Sequence, residues 1–495
     1  MAGKIKALVL RPSPNGHACK CAWPHSLRHP ARPACDHVRM NEFSRLKLIE
    51  PLRKALAEVG YSEMTPVQAE SLPGILSQRD VIAQARTGSG KTAAFALGLL
   101  SSLDASVVRL QGLVLCPTRE LADQVSREIR RLARFIPNVK VLTLCGGVPL
   151  RPHLASLAHE PHIVVGTPGR ILELIEKGAL QLQGINVLVL DEADRMLDMG
   201  FSDAIAAIVD HVPQQRQTLL FSATIPESIR DMSRDLQRNA LDITVESGED
   251  EPQIEQTFFE VDPEAKLAAL ESLLLEYRPE SAVVFCNTRN EVRAVAEDLA
   301  HVGFSVLALH GDLDQREREE MLVRFANRSC TVLVASDVAA RGLDIADLAM
   351  VINYDIASDP DTHLHRIGRT GRAGRRGIAL SLCSTREIKR ANAIEDQSGD
   401  ALHWGELPNP SNSTPWSAPF VTLAVDGGRQ DKLRPGDVLG ALTGDAGLPG
   451  SAIGKIDVFP TRTYVAIERG SYEHALRRLR GGKIKGRTFR IRKIS

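Results

Sequence analysis

The sequence predicts an α/β protein with two tandem parallel-sheet domains and a small α+β domain at the carboxyl end. Three observations predict this fold class. The 495 residues are too many for one hydrophobic core. Short apolar runs typical of buried strands alternate with helical patterns in two successive cycles, which indicates parallel sheets covered by helices. A segment with an excess of positive charge follows the second cycle.

The first cycle spans residues 40–248. Its apolar runs are short and rich in Val, Ile and Leu, as expected for strands buried on both faces of a sheet. We predict six strands here: Val81–Ala83, Leu113–Cys116, Val141–Leu144, Ile163–Val165, Val187–Leu190 and Thr218–Phe221.

The second cycle begins near Lys266, in a domain that we assign to residues 249–395, and we interpret the acidic stretch Glu246–Pro252 at the boundary as a linker. It repeats the alternation of the first cycle but contains no second glycine-rich phosphate loop. We predict five strands here: Ser281–Cys286, Val306–Leu309, Thr331–Ala335, Met350–Ile352 and Ile378–Leu380.

A glycine-rich octapeptide separates the run Val81–Ala83 from the helical segment Ala93–Leu100. A strand, a glycine-rich turn and a helix N-terminus suit phosphate binding, because backbone N–H groups can then point at the phosphates. Lys91 is placed to reach the β- and γ-phosphates, and Thr92 offers a hydroxyl to Mg²⁺. The usual pattern begins with glycine but this one begins with alanine, and a chance glycine turn is the alternative. The predicted nucleotide-binding residues are Ala85, Arg86, Thr87, Gly88, Ser89, Gly90, Lys91 and Thr92.

Two carboxylates, Asp191 and Glu192, follow directly after the predicted strand Val187–Leu190. The carboxyl ends of parallel strands are where such sheets present residues to a ligand. We therefore expect Asp191 to hold Mg²⁺ and Glu192 to orient or deprotonate the attacking water. A solvated acidic loop is the alternative, since further acidic residues follow.

These motifs, together with Ser222–Thr224 and His365–Arg372, resemble those of the DEAD-box RNA helicases over residues 43–384. The resemblance implies two RecA-like domains that share a single ATP. Because only the first domain has a phosphate loop, the second would contribute arginine fingers. The implied catalytic residues are Lys91, Asp191, Glu192, Arg369 and Arg372.

The resemblance also implies contacts to the base and the ribose. Phe43 and Gln68 match the adenine-reading element of the family, and Asp344 matches a contact to the ribose. An aromatic face and an amide suit a purine ring, although Phe43 alone is equally typical of a core and Gln68 of a helix surface. Coupling of ATP state to RNA binding is implied for Ser222, Thr224, Asp194 and His365.

RNA contacts are implied at strand ends in both domains. The hydroxyl, amide, glycine and guanidinium groups at these positions suit backbone phosphates rather than bases, so we expect binding without sequence preference. The implied RNA-binding residues are Thr118, Arg119, Gly147, Thr167 and Arg170 in the first domain and Asn287, Arg289, Gln315, Arg318 and Ser336 in the second.

Residues 396–419 are rich in Pro, Ser and Asn, which predicts a linker. Residues 420–495 resemble the RNA-binding domain of the DbpA group of DEAD-box proteins. The predicted RRM-like fold has strands at Val421–Val425, Ala452–Ile456, Thr463–Ile467 and Thr488–Arg492, and helices at Leu433–Leu442 and Tyr472–Leu479.

This last segment contains fifteen Lys and Arg residues against seven Asp and Glu, although the formal net charge of the chain is zero. The aromatic-rich RRM signature is largely absent, so base stacking on the sheet is not favoured, and Tyr464 and Phe489 remain as aromatic candidates. A solvated basic face is the alternative. The predicted RNA-binding residues are Arg477, Arg478, Lys483, Lys485 and Arg487.

Composition argues against other classes of protein. The eight cysteines are scattered without a repeated Cys-x-x-Cys pair, which favours buried thiols in a reducing cytoplasm. No apolar run approaches the roughly twenty residues of a transmembrane helix. Residues 1–39 are rich in Pro and His, and we expect a disordered or mis-assigned leader there. A zinc site and a transit peptide are the alternatives.

Together these features predict a cytoplasmic RNA helicase that uses ATP and Mg²⁺. Resemblance to the DbpA group implies RNA as the partner, specifically a hairpin of large-subunit ribosomal RNA and pre-ribosomal particles. No membrane and no obligate protein partner are expected. Two alternatives stay open: an ATP-gated RNA clamp that holds a ribonucleoprotein, and a DNA translocase, for which the sequence offers no additional stepping elements.

Overall fold

The structure is a computed structural model that describes residues 42–85, 88–245, 254–340, 348–371, 376–408, 413–445 and 447–494. Four predicted site residues lie outside the described residues: Arg86, Thr87, Asp344 and Arg372. The predicted leader and the acidic stretch Glu246–Pro252 also lie outside them.

Seven parallel strands form the sheet of domain 1. They are β1 (Val81–Gln84), β2 (Gly112–Leu115), β3 (Val141–Leu144), β4 (Ile163–Gly166), β5 (Val187–Asp191), β6 (Gln217–Ser222) and β7 (Leu241–Thr244). Their order across the sheet is β3-β4-β2-β5-β6-β1-β7. Strands β2, β4, β5 and β6 are buried along their whole length, because helices cover both faces of the sheet.

Nine helices surround this sheet among the described residues. They are α1 (Glu50–Val59), α2 (Pro66–Leu76), α3 (Lys91–Ser101), α4 (Arg119–Leu132), α5 (Leu150–Leu157), α6 (Pro168–Glu176), α7 (Ala193–Asp198), α8 (Ser202–Val209) and α9 (Glu227–Leu236). The local sequence determines several helix starts. Pro66 opens α2, where its missing N–H costs nothing, and Thr118 Oγ1 accepts a hydrogen bond from Leu121 N at the start of α4.

Six parallel strands form the sheet of domain 2. They are β8 (Ile254–Glu260), β9 (Ala282–Cys286), β10 (Val306–Leu309), β11 (Val332–Ser336), β12 (Met350–Asn353) and β13 (Gly377–Cys383), in the order β10-β11-β9-β12-β13-β8. The helices are α10 (Lys266–Tyr277), α11 (Arg289–Val302), α12 (Gln315–Ala326), α13 (Asp337–Ala340), α14 (Pro360–Ile367) and α15 (Ile388–Ser398).

The C-terminal domain is an antiparallel sheet with helices on one face. Its strands are β14 (Phe420–Val425), β15 (Ile453–Val458), β16 (Thr463–Glu468) and β17 (Ile491–Lys493), in the order β15-β16-β14-β17. Its helices are α16 (Pro435–Gly440), which continues as a π-helical turn at Ala441–Asp445, and α17 (Tyr472–Gly481). The last strand is shorter than the sequence predicts, because only Ile491–Lys493 pair with β14.

The predicted fold class is confirmed, with two parallel-sheet domains followed by a small α+β domain. Two strands, β7 and β8, are not predicted by the sequence, and each lies at the edge of a sheet. Both begin with residues that are only partly buried, so their apolar pattern is weaker than that of a central strand.

The outer face of the C-terminal sheet packs against α12 of domain 2. Ala424, Tyr464 and Ile494 form one apolar cluster with Val323 of that helix. The side chain of Tyr464 is only 2% exposed, and its ring meets Phe459 edge-on at 5.4 Å. Tyr464 therefore presents no free ring face for a base in this structure, contrary to the sequence-based expectation.

Charged contacts surround this apolar cluster. Glu320 Oε1 on α12 accepts hydrogen bonds from Arg462 Nη1 at 2.7 Å and from Arg492 Nη2 at 2.6 Å. The second aromatic candidate, Phe489, is half-buried, and a Cβ on Gly427 would lie 2.3 Å from its ring. Most of the aromatic surface of this domain is thus used for packing.

Candidate nucleotide and RNA site

The glycine-rich loop connects β1 to α3. Gly88 and Gly90 have φ angles of 86° and 96°, which residues with a side chain rarely adopt. A Cβ on Gly90 would lie 2.5 Å from Gln68 Nε2 and 2.7 Å from Thr65 Oγ1. Glycine at this position therefore allows both the turn and the close approach of α2.

Several buried polar atoms in and around this loop form no hydrogen bond within the described residues, among them Ser89 Oγ in the loop and Asp191 Oδ1 at the end of β5. Lys91 is buried at the start of α3, and its Nζ donates to Ala85 O at 2.7 Å. Thr92 follows in the first turn of α3 and is half-buried. Unpaired hydroxyl and carboxylate oxygens beside a lysine at a helix N-terminus fit a bound phosphate with a divalent cation.

The two predicted adenine contacts are both buried. The Gln68 amide bridges α2 and the loop, since its Nε2 donates to Gly90 O and its Oε1 accepts from Thr65 N, each at 3.0 Å. Phe43 lies in the hydrophobic core of domain 1, with its ring centroid 6.5 Å from that of Tyr61. In this conformation Gln68 holds the phosphate loop against the helix that precedes it.

The two carboxylates after β5 have different surroundings. Burial raises the pKa of Asp191 to about 7, although Lys91 opposes the shift. Glu192 has a φ of 54°, and its Oε2 accepts a hydrogen bond from Arg195 Nη1 at 2.9 Å. Arg195 is only 2% exposed. The sequence pattern does not single out this arginine, because a basic residue within an acidic stretch has no distinctive signature.

The four predicted coupling residues lie together. Asp194 Oδ2 accepts hydrogen bonds from the Thr224 N–H at 2.9 Å and the Thr224 hydroxyl at 3.1 Å, and Ser222 Oγ accepts one from Asp194 N at 3.2 Å. Burial would raise the pKa of Asp194, but His365, Lys91 and the backbone N–H groups of Thr224 and Arg195 lower it below its ordinary value. The carboxylate therefore stays charged and fixes the turn after β6.

His365 is the residue of domain 2 that contacts this cluster. Burial and the nearby Arg195 lower the pKa of His365 below its ordinary value, which favours the neutral imidazole. Its Nδ1 lies 3.1 Å from Arg195 Nη2, which fixes Nδ1 as the acceptor and leaves the proton on Nε2, 3.8 Å from Asp194 Oδ2.

Arg369 is buried in the same cleft. It lines a pocket between the domains, with His365 on its own side and Arg195 and Asp198 on the side of domain 1. The structure thus brings the predicted finger Arg369 into the same pocket as Arg195, whose guanidinium binds Glu192.

Predicted RNA contacts from the two domains meet across the cleft. Arg119 Nη1 donates to Gln315 Oε1 at 2.8 Å, and Glu120 Oε1 lies 2.7 Å from Arg318 Nε. A Cβ on Gly147 would lie 1.6 Å from Arg119 Nη2, so a side chain at this position would displace the arginine from its place across the loop. No sequence motif predicts a role for Glu120.

The remaining RNA candidates of domain 1 lie around the loop that follows β3. Thr167 Oγ1 accepts a hydrogen bond from Gly146 N at 3.2 Å, and Arg170 Nη2 donates to Val148 O at 2.8 Å. Thr118 caps α4 on the adjacent strand end. Burial, followed by the effect of Arg170, lowers the pKa of His153, whose Nδ1 lies 2.6 Å from Arg170 Nη1.

In domain 2, a buried arginine that the sequence analysis overlooks organises two of the RNA candidates. Arg366 binds both carboxylate oxygens of Asp337 at 2.6 and 2.7 Å, and its Nη2 donates to Asn287 Oδ1 at 2.7 Å. Ser336 immediately precedes Asp337 at the end of β11. Arg289 does not join this group, since its Nη1 donates to Asp312 at 2.8 Å and its side chain is largely exposed.

The C-terminal candidates form an exposed surface that we call the basic ridge. All five side chains are exposed: Arg477, Arg478, Lys483, Lys485 and Arg487. Lys485 Nζ donates to Lys432 O at 2.9 Å, which ties the segment before β17 to the loop before α16. The ridge lies on the helices and their following loop, away from the sheet face that packs on α12.

Comparison with known proteins agrees with this geometry. Residues 65–232 match the DEAD/DEAH box helicase family, residues 265–374 the helicase conserved C-terminal domain and residues 422–493 the DbpA RNA binding domain. The chain is 54% identical to the ATP-dependent RNA helicase DbpA of Escherichia coli (strain K12), over 92% of this chain and 99% of that protein. It is 34% identical to the ATP-dependent RNA helicase DbpA of Bacillus subtilis (strain 168), over 92% of this chain and all of that protein.

A solved structure shares the arrangement of the helicase domains. S. cerevisiae Dbp5 bound to RNA and ADP BeF3 superposes with a TM-score of 0.67 and 31% sequence identity, over 74% of this chain and 96% of that one. No helix in the part of the chain that the structure describes has the length and apolar character needed to cross a membrane. The chain belongs to the DEAD-box ATP-dependent RNA helicases and, with its third matching domain, to their DbpA group.

Proposed function

We propose that the chain hydrolyses ATP at the junction of domains 1 and 2 when RNA joins them, and that the basic ridge directs this activity to structured ribosomal RNA. One observation carries the first part: Arg369 and His365 of domain 2 line one pocket with Arg195 of domain 1, and Arg195 contacts both His365 and Glu192. Residues from both domains are therefore needed to complete the site.

The nucleotide would be held by domain 1. The phosphate loop from Ala85 to Thr92 would receive the phosphates, with Lys91 as the cation that reaches them. Thr92 and Asp191 would hold Mg²⁺, which when bound neutralises charge on the phosphates. Gln68 and Phe43 would contact adenine, and Asp344 the ribose. The unpaired Ser89 Oγ and Asp191 Oδ1 support this assignment.

Hydrolysis would then depend on three side chains. Glu192 orients or deprotonates the attacking water, while Arg369 and Arg372 stabilise the negative charge that develops on the transferred phosphoryl group. A finger that comes from domain 2 can act only when the cleft is closed, so ATP turnover is tied to closure. Asp194, Ser222, Thr224 and His365 would transmit closure to the RNA-binding side.

The RNA backbone would replace protein contacts that the structure shows in the cleft. Arg119 and Arg318 already form bonds across it, to Gln315 and Glu120. Phosphates would take over these guanidinium groups, and Thr118, Gly147, Thr167, Arg170, Asn287, Arg289 and Ser336 would extend the same surface. Such contacts hold the backbone without reading bases.

The choice of RNA would rest with the C-terminal domain. Its sheet face is packed against α12, so the exposed basic ridge is the surface that remains for RNA. We propose a hairpin of large-subunit ribosomal RNA as its target, pre-ribosomal particles as the assembly, and the cytoplasm as the location. The match of residues 422–493 to the DbpA RNA binding domain supports a role in RNA recognition.

RNA-stimulated ATPase activity tests the catalytic assignment. Glu192→Gln should lower the RNA-saturated kcat by about 100-fold or more, since general acid–base groups contribute factors of that size. Glu176→Gln, which changes an exposed carboxylate on α6 of the same domain, serves as the control and should retain normal turnover. Near-normal turnover in Glu192→Gln would show that another residue activates water.

Targeting needs a separate test with the full chain. A variant with Arg477→Gln, Arg478→Gln and Lys483→Gln is compared with Lys455→Gln, which removes an exposed charge from β15. We expect the triple variant to lose the preference of its ATPase for large-subunit ribosomal RNA over unrelated RNA of equal length, while both retain stimulation at saturating RNA. An unchanged preference would reject the ridge as the targeting surface.

The contact of Arg195 with His365, which RNA does not replace, also favours a second candidate function. If this contact between the domains prolongs the closed state, the chain would act as an ATP-gated RNA clamp with little strand separation. Single-turnover separation of a short duplex, compared with the lifetime of the ATP-bound RNA complex, distinguishes the two. Separation faster than release of the complex supports the helicase.

A further inference from the structure

Arg195 joins the two domains at the carboxylate proposed to activate water. It lies on α7, three residues after Glu192, and is buried. Its two terminal nitrogens bind different domains: Nη1 donates to Glu192 Oε2 at 2.9 Å, and Nη2 donates to His365 Nδ1 at 3.1 Å. One rigid guanidinium group therefore links the proposed water-activating carboxylate to the motif that carries Arg369.

The planarity of the guanidinium group allows a contact at one nitrogen to fix the direction of the other. A carboxylate on a glutamate side chain can rotate about several bonds, and its position relative to a reacting water has to be fixed for efficient catalysis. The five N–H groups of arginine lie in one plane, so an arginine held at one nitrogen has a defined direction at the other. His365 thus constrains the direction from which Nη1 meets Glu192.

The contact with His365 depends on closure of the cleft. His365 belongs to α14 of domain 2, whereas Arg195 and Glu192 both belong to domain 1. Separation of the domains would remove the partner of Nη2 but leave the ion pair to Glu192 in place. The guanidinium plane could then rotate, and the Glu192 carboxylate with it.

We propose that Arg195 is a positioning residue that holds Glu192 in its hydrolytic orientation only while His365 of domain 2 binds its second nitrogen. This inference rests on the proposed role of Glu192, and it adds that the orientation of Glu192 depends on closure of the cleft. It makes the proposed water-activating group, and not the finger Arg369 alone, responsive to the position of domain 2.

The test compares Arg195→Gln, His365→Ala and the double variant in the full chain. We expect each single change to lower the RNA-saturated kcat by roughly 10- to 100-fold, the range expected for a misplaced reacting group, with the KM for ATP within threefold of the unmodified protein. The double variant should be no slower than the slower single variant, because both changes break one chain of contacts. Losses that multiply would overturn the proposal.

Arg216→Gln is the matched control. Arg216 is a half-buried arginine of domain 1 that bonds Pro213 O and Leu236 O, away from the cleft, and its loss should leave kcat unchanged and multiply independently with His365→Ala. Arg195→Gln could instead lower the urea unfolding midpoint and raise the KM for ATP together with its fall in kcat. That result would assign Arg195 a structural role and overturn the proposal.

Two outcomes separate this inference from the proposed function. If Glu192→Gln loses activity while Arg195→Gln and His365→Ala keep it, only the positioning role fails. If Glu192→Gln keeps activity, the proposed role of the carboxylate fails first. Should Arg195→Gln not fold, Arg195→Lys takes its place. Lysine can bind only one of the two partners at full strength, so kcat is still expected to fall at least fivefold, and an unchanged kcat would overturn the proposal.

Discussion

Glu120 of domain 1 and Arg318 of domain 2 form an ion pair across the cleft, with Oε1 and Nε 2.7 Å apart and both side chains 15% exposed. The arginine is one of the proposed contacts to the RNA backbone. An RNA phosphate would therefore have to displace Glu120 from the Arg318 guanidinium. Until RNA binds, the ion pair holds the two domains together.

Removing this competition should strengthen RNA binding. We expect Glu120→Gln to raise the affinity for single-stranded RNA about fivefold, which corresponds to about 1 kcal/mol for a partly exposed pair. Fluorescence anisotropy with labelled RNA measures it. Glu128→Gln, on the same helix but bonded to Tyr61 within domain 1, is the control. Weaker RNA binding by Glu120→Gln than by the control would contradict the competition.

Gly90 is the position where nucleotide binding should be most sensitive to a single methyl group. We expect Gly90→Ala to weaken binding of a fluorescent ADP analogue by at least about tenfold, or about 1.4 kcal/mol, because the new Cβ would collide with Gln68 and Thr65. Gly178→Ala is the control, since Gly178 also has a positive φ, of 66°, but open space around it. Equal affinities in the two variants would show that α2 can move aside.

Arg366 should be intolerant even of lysine. A lysine keeps the charge but cannot bind Asp337 through two nitrogens and Asn287 at the same time, so we expect Arg366→Lys to destabilise domain 2 by about 3 kcal/mol. Urea unfolding measures the loss. Arg293→Lys is the matched control, because Arg293 is an exposed arginine of the same domain that bonds Asp312. A loss no greater than that of the control would show that the buried contacts are dispensable.

Glu320 should hold the C-terminal domain on domain 2. We expect Glu320→Gln to weaken docking by about 2 kcal/mol, since it removes the carboxylate shared by Arg462 and Arg492 in a partly buried setting. In differential scanning calorimetry the C-terminal domain should then melt before domain 2. Glu297→Gln, an exposed change on α11, should leave the trace unaltered. A single transition in both variants would argue against this role of Glu320.

Glu319, the neighbour of Glu320, predicts a dependence of stability on pH. Burial and the nearby carboxylate of Asp123 raise the pKa of Glu319 to about 7 from an ordinary value of 4.5. The folded protein then binds this proton more tightly than the unfolded chain, so stability falls as pH rises from 4.5 to about 7. Glu319→Gln should raise the urea midpoint at pH 8 and change it little at pH 4.5. A parallel pH profile in the two proteins would exclude Glu319 as the cause.

Much of the fold follows from local sequence, for a physical reason. Strands that are buried on both faces consist of continuous apolar runs, so β2, β4 and β5 can be recognised without knowing their neighbours. The edge strands β7 and β8 are partly exposed, and their pattern is too weak to separate them from loops. The π-helical turn after α16 has no sequence signal that we recognise.

The site divides in the same way. Lys91, Asp191 and Glu192 sit in contiguous motifs whose spacing alone defines a phosphate loop and a carboxylate pair, so the sequence predicts them. Arg195 and Arg366 act through partners 170 and 29 residues away, and only the folded chain brings these partners together. The sequence shows which chemical groups are present, whereas the tertiary structure decides which groups restrain one another.

The packing of Ala424, Tyr464 and Ile494 on Val323 changes what a truncation means. Cutting the chain before β14 would expose Val323 on α12 and leave the Glu320 carboxylate without its two arginines. Such a fragment would be prone to self-association. Slower ATP turnover in the fragment would then have two causes, the loss of RNA targeting and the disturbance of domain 2. Point changes in the ridge, made in the intact protein, are the cleaner way to ask what the tail recognises.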